Sequence, residues 1–210
     1  MAAPAAPRTV LRVSADVLCV AASVRSAAIA RALAPERQVI GVAPPALARR
    51  TAAASAALDR TFDRLDWASV HSIVVWPRLA ARTPSASPSL RVWRQRSDAA
   101  LRNTYLAARA GGLRLQQRGR GEVLLVIDGV SAADSVGMVV AEGLRVLGDA
   151  LRKLFRPSLR IGVLCVDGLG ARPSAPDTVR AIAHWLDHPA ARHGRRGARA
   201  AAAGAGLTSK

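Results

Sequence analysis

Residues 122–166, EVLLVIDGVSAADSVGMVVAEGLRVLGDALRKLFRPSLRIGVLCV, decide the fold. The segment opens with Glu122–Ile127, an apolar and largely β-branched run that reads as a buried strand. A loop, DGVSAADSVG, leads to a helix expected from about Met138 to Phe155 and stopped by Pro157. Arg160–Val166 (RIGVLCV) is a second apolar strand. Two strands joined by one long helix form a parallel crossover, because parallel neighbours cannot be joined by a tight turn. Neither strand alternates apolar with polar residues, so both faces of the sheet must be covered.

The same alternation extends upstream. Asp16–Ala21 (DVLCVA), Gln38–Val42 (QVIGV) and Val70–Trp76 (VHSIVVW) read as three more strands. The first leads through Ser23-Val24-Arg25-Ser26 into a helical AAIARALA, ended by Pro35. Pro44-Pro45 breaks the second and starts a helix expected to run to about Asp66. Pro77 closes the third, and the Pro/Ser-rich loop RTPSASPS follows. A long helix then runs from Leu90 to about Gln117, with apolar residues at Val92, Trp93, Ala100, Leu101, Leu106 and Leu113. Downstream of Val166, a Gly/Pro loop precedes a last helix, about Pro176–Asp187. The expected architecture is α/β: a Rossmann-like, doubly wound parallel sheet flanked by helices, with right-handed crossovers. Residues 1–188 are expected to form one domain, and the Ala/Gly/Arg-rich residues 189–210 a disordered basic tail.

Composition narrows the function. Half of the 210 residues are hydrophobic, which excludes a wholly disordered chain. No apolar run reaches the roughly 18 residues needed to span a bilayer. The start, MAAPAAPRTVLRV, lacks a basic region followed by a long apolar core, so no secretory signal is expected; its Ala, Pro and Arg content admits an organelle-targeting reading. Cys19 and Cys165 both sit in apolar strands and read as buried free thiols, in keeping with a cytoplasmic location. His184 and His188 are four apart on a helix but have no third ligand, so no metal site is expected. The net charge of +17 includes five basic residues and no acid in 189–210, which leaves +12 on the rest. Nucleic acid is a weak candidate partner, because the arginines are scattered and stacking aromatics are few. A solvated surface, or attraction to an acidic carrier protein, a CoA phosphate or an acidic subunit, fits better.

VLCVAASVRSAAIARALA, EVLLVIDGVSA, MVVAEGLRVLGDALRKL with RIGVLCVDG, and DTVRAIAHWLDHPA stand in the order of four segments of one family. In that order the chain resembles the short-chain dehydrogenases/reductases, especially ketoacyl reductases, over about residues 10–188. The resemblance implies a nicotinamide cofactor, a Gly-rich phosphate turn, an Asn-Ala-Gly turn and a catalytic Tyr–Lys pair four residues apart. None of these is intact. The phosphate turn, Val20 to Ser26, holds no glycine, and Ser23 or Ser26 is left as a helix cap. Trp76-Pro77-Arg78-Leu79 replaces the Asn-Ala-Gly turn and suggests a filled cleft. The single tyrosine is Tyr105, and the lysines are Lys153 and Lys210, so no Tyr–Lys pair exists. Two registers place either Asp134 and Met138 or Gly137 and Ala141 at the pair's positions, and neither couple can do the work of a tyrosine acid with a lysine beside it. The family's serine falls near Gly129–Ser131, and Asn103 resembles its proton-relay asparagine. Asp128 and Asp134 flank the loop and read as loop caps and arginine partners rather than as an acid/base pair. The resemblance also implies a final strand, which residues after His188 do not offer.

These features lead to the expectation of a non-catalytic subunit with no catalytic, metal or cofactor-binding residues and with NAD(P) binding lost. It is expected to pair through its long helices, by Met138, Val139, Leu144, Leu147 and Leu151, with an active reductase of the same fold or with itself. The alternatives are a divergent NAD(P)-dependent oxidoreductase with a rebuilt site, and a basic nucleic-acid-binding or regulatory protein.

Overall fold

The computed structural model describes residues 13–14, 16–21, 32, 39–42, 51–77, 88–128, 130, 133–166 and 175–188. Its strands are β1 (Val13–Ser14), β2 (Val17–Ala21), β3 (Val39–Val42), β4 (Leu65–Asp66), β5 (Ser72–Trp76), β6 (Glu122–Asp128) and β7 (Arg160–Val166). The described helices are α1 (Thr51–Phe62), α2 (Leu90–Gln117), α3 (Ser135–Phe155) and α4 (Ala175–Asp187). Among the described residues the main sheet has five strands in the order β3-β2-β5-β6-β7, all parallel. β1 and β4 pair separately, through Val13 with Leu65 and Ser14 with Asp66.

The apolar strands carry this arrangement. Every residue of β5 is buried, as is every residue of β6 after Glu122. Because side chains alternate across a strand, the two faces form two cores. Leu18, Val20, Ile73, Val75, Val123 and Leu125 face α1, α2 and α3 through Leu58, Phe62, Ala107, Ala108, Leu151 and Phe155. Val17, Cys19, Val74, Trp76, Leu124 and Val126 face α4 through Val179, Ile182 and Leu186. Helices thus cover both faces, as expected for a doubly wound sheet.

The long helix differs from the expectation in its inward face. α2 buries Ser97, Ala100, Thr104, Ala107, Ala108, Gly111, Gly112 and Leu115, at i, i+3 and i+4 spacing. Val92, Trp93 and Leu113, large and apolar, stay exposed. The reason is distance: α2 lies between α1 and α3 against the sheet, and small residues let it approach. A Cβ on Gly111 would come within 2.3 Å of Ile73 Cδ1, and one on Gly112 within 2.7 Å of Phe155 Cζ. α1 is tied to α2 by Arg114, which pairs with Asp59 at 3.1 Å and Asp63 at 2.8 Å and lies over Phe62 and Trp67. At the β7 edge, Arg160 pairs with Glu122 at 3.0 Å and stacks 3.6 Å from the centre of the Trp185 ring.

Several expected boundaries shift. α3 begins at Ser135 rather than Met138, because Asp134 caps it. The helix expected to reach Asp66 ends at Phe62, and Leu65–Asp66 becomes the strand paired with β1. Of AAIARALA only Ala32 is described, and it is helical and exposed. The phosphate turn after Ala21, Arg78-Leu79, Gly129, Ser131, the tail 189–210 and the place of the family's final strand lie outside the described residues. No described helix is long and apolar enough to cross a membrane.

Candidate functional site

A doubly wound sheet offers its site beyond the carboxyl ends of the strands, where the strand order reverses. Here β3 lies on one side of β2 and β5 on the other, so the switch falls between β2 and β5, at Ala21 paired with Trp76. Trp76 is 1% exposed, and its ring belongs to the core beneath α4, beside Val179 and Ile182. The residue expected to fill the cleft therefore fills the core instead, because its alternate position on β5 points it to the α4 face. Pro77 follows it, half-buried.

The neighbouring strand ends at Asp128, which is buried and in register with Val166 of β7. Asp134 stands at the amino end of α3. Its side chain accepts the Gly137 N–H at 3.2 Å and caps the helix. The same carboxylate receives two hydrogen bonds from Arg96 of α2, at 2.8 and 2.5 Å. Such a forked, charge-assisted pair is among the stronger contacts a protein makes. Asp134 is thus a cap and an arginine partner. Arg96, 38 residues away, is the member that sequence reasoning missed, since nothing in the spacing singles it out among the arginines of α2.

The remaining residues singled out from the sequence do not converge on this edge. Of the two Tyr–Lys registers, Met138 is 51% exposed, while Gly137 and Ala141 face inward. Tyr105 is 41% exposed in the middle of α2, and Asn103 is half-buried nearby. His184 and His188 stack on each other at 4.1 Å on the exposed end of α4. Among the described residues no three His, Cys, Asp or Glu side chains come together to hold a metal. Cys19 is buried and Cys165 half-buried, both as free thiols. The Arg145 guanidinium is held above its usual range, first by its hydrogen bond to Glu142 and then by Cys165.

The outer surface of α2 and α3 is the second candidate. These helices lie side by side, with Leu101 of α2 against Gly143 of α3. The residues expected to pair with a partner divide in two. Leu144 and Leu151 are 0% and 1% exposed and belong to the chain's own core, and Leu147 packs against the same clusters. They correct the expectation: the sheet beneath α3 needs that stripe, so it cannot also be offered outward. Met138 and Val139 do remain exposed, and Val146 and Leu154, at 62% and 56%, join them.

The sequence matches no family model and no curated protein. Solved structures do match the fold. A short-chain dehydrogenase from Streptomyces avermitilis superposes with a TM-score of 0.60 at 16% identity, covering 84% of this chain and 85% of that one. A short-chain dehydrogenase/reductase-family oxidoreductase from Burkholderia thailandensis gives 0.59 at 20% identity, covering 83% and 77%. The ligand-free aldohexose dehydrogenase of Thermoplasma acidophilum gives 0.57 at 18% identity, covering 88% and 82%. With the parallel sheet, its helical cover on both faces and the switch between β2 and β5, these likenesses give the chain the Rossmann-like fold of the short-chain dehydrogenases/reductases.

Proposed function

We propose that this protein is a non-catalytic subunit of that fold, which pairs with an active ketoacyl reductase acting on CoA- or carrier-linked substrates. One observation carries the reading: in one register of the resemblance the catalytic acid's place is held by Asp134, committed to Arg96 and to the start of α3, and in the other by Gly137, which has no side chain to donate a proton. A carboxylate held by an arginine fork and a helix amino end is stabilised as the anion, so it makes a poor proton donor to a carbonyl.

The residues at this edge also fit a nicotinamide dinucleotide poorly. In the family's pattern a lysine holds the cofactor's ribose; in one register Met138 stands there, without a hydrogen-bond donor and half exposed. In the other, Ala141 stands there, buried against the core. The chain's single tyrosine lies on an exposed helix face. No reaction step is assigned to these residues. What persists is the α2–α3 surface, with apolar side chains held outward on an otherwise well-packed scaffold.

The test is isolation of the tagged full chain from its own host, with its companions identified by mass and measured for stoichiometry. A reductase of the same fold that keeps an intact Tyr–Lys pair, in a fixed ratio with this chain, is the expected result. A stable monomer with no such companion, or ketoacyl-thioester reduction by the pure chain, sinks the reading.

A further inference from the structure

The surface of α2 beside α3 carries a charge pattern that bears on which partner it accepts. Arg91, Arg94, Arg102 and Arg109 follow one another at spacings of three, eight and seven, so they fall along one side of the helix. The only acid on α2, Asp98, falls within the same row, four residues from both Arg94 and Arg102, so the row carries four bases to one acid. The ion pairs among the described residues take Arg96 and Arg114 and leave this row alone. Beside it, Val139, Val146 and Leu154 make an exposed apolar ridge on α3, spaced seven and eight apart and so on one side of the helix. The two acids of α3, Glu142 and Asp149, are engaged by its own Arg145 and Arg152. The face is therefore an apolar ridge flanked by a row of net positive charge.

We infer that this face accepts a chain whose matching face is apolar at its centre and acidic alongside, and that it rejects a second copy of itself. The inference rests on the reading of the chain as a pairing subunit and names the chemistry of the partner. Two copies meeting at these helices would set one arginine row near another, and like charges brought together at a desolvating interface disfavour the complex. An acidic row opposite would gain attraction and faster encounter. The aliphatic ridge favours a protein over a nucleic acid, because a phosphate backbone gives Val146 and Leu154 nothing to pack against.

A charge-reversed copy serves as the acidic probe. In Arg91→Glu/Arg94→Glu/Arg109→Glu all three changed residues are exposed, so the fold is retained, which a melting curve checks. Sedimentation of each chain alone and of their equimolar mixture, at about 50 and about 500 mM salt, then reads the preference. The expected result is a one-to-one complex in the mixture at low salt, at least about tenfold tighter than either self-complex. It weakens at high salt and is lost when Val146→Lys is placed in either chain. If the wild-type chain pairs tightly with itself at low salt, and Val146→Lys breaks that pair, the charge selection is wrong while the pairing face stands. If neither the chains nor the mixture associate, the pairing reading itself fails. Tighter binding of the wild-type chain to a short duplex DNA than to the reversed copy would assign the arginine row to nucleic acid and overturn the proposal.

Discussion

Asp134 and Arg96 show how unequal the two halves of one contact can be. The Asp134 side chain is 3% exposed and the Arg96 side chain 23%. Removing the arginine leaves a carboxylate in a nearly dry site, whereas removing the carboxylate lets the arginine turn toward water. Arg96→Ala should therefore cost about 3 kcal/mol, and Asp134→Ala about 2, the latter including about 1 for the lost cap. Urea unfolding of both variants checks the order; equal or negligible losses would mean that the pair does not hold α2 to α3. The thiols differ in the same way. Cys19 is 0% exposed and Cys165 is half-buried at the β7 edge. A thiol reagent should modify Cys165 alone in the native protein and both in denaturant. That Asp134 caps a loop and meets an arginine was legible in the sequence, although the helix was expected to begin only at Met138. Which arginine it meets was not, because proximity across 38 residues is created by the fold.

At the scale of the element, the helices teach that size as well as hydrophobicity sets which face turns inward. In α2 the large Val92, Trp93 and Leu113 stay outside while Ala107, Gly111 and Gly112 face the sheet. A reading that counts large apolar residues misplaces this face; one that follows small residues at i, i+3 and i+4 finds it. α3 has the more regular pattern, and its inward stripe of Val140, Leu144, Leu151 and Phe155 was visible as apolar, though not as inward. Two glycines of α3 provide a paired test. A Cβ on Gly148 would lie 2.2 Å from Val163 Cγ2, on a stiff side chain of a neighbouring strand. A Cβ on Gly143 would lie 2.9 Å from Leu101 Cδ2, the far end of a flexible side chain. Gly148→Ala should therefore destabilise by about 1–3 kcal/mol through overpacking, despite the helix propensity it adds. Gly143→Ala should be neutral or stabilising by up to about 1 kcal/mol. Thermal melts of the two variants should move in opposite directions or differ clearly in size; equal losses would place α3 farther from β7 than the structure has it.

For the whole molecule, the proposed role as a non-catalytic subunit implies that the scaffold does not bind a nicotinamide nucleotide. A site that bound NADH or NADPH with a dissociation constant near 10 μM would gain about 2.7 kcal/mol at about 1 mM ligand. In a chain of this size that raises the melting temperature by several degrees. The expected shift is under about 1 °C for either nucleotide, and a larger one would favour the divergent oxidoreductase.

The sequence by itself determined the alternation of strands and helices, from apolar runs separated by prolines and glycines, and hence the doubly wound parallel sheet. It also determined that no Tyr–Lys pair exists, since that is a matter of which residues are present. Only the tertiary structure decided that Leu144 and Leu151 belong to the core while Val146 and Leu154 face outward. Only it turned Trp76 into the core under α4 and brought Arg96 to Asp134. Local pattern reports how residues of one element are arranged relative to each other. How that element is rotated, how near it comes to its neighbours and which distant charge it meets are set by packing among all of them at once.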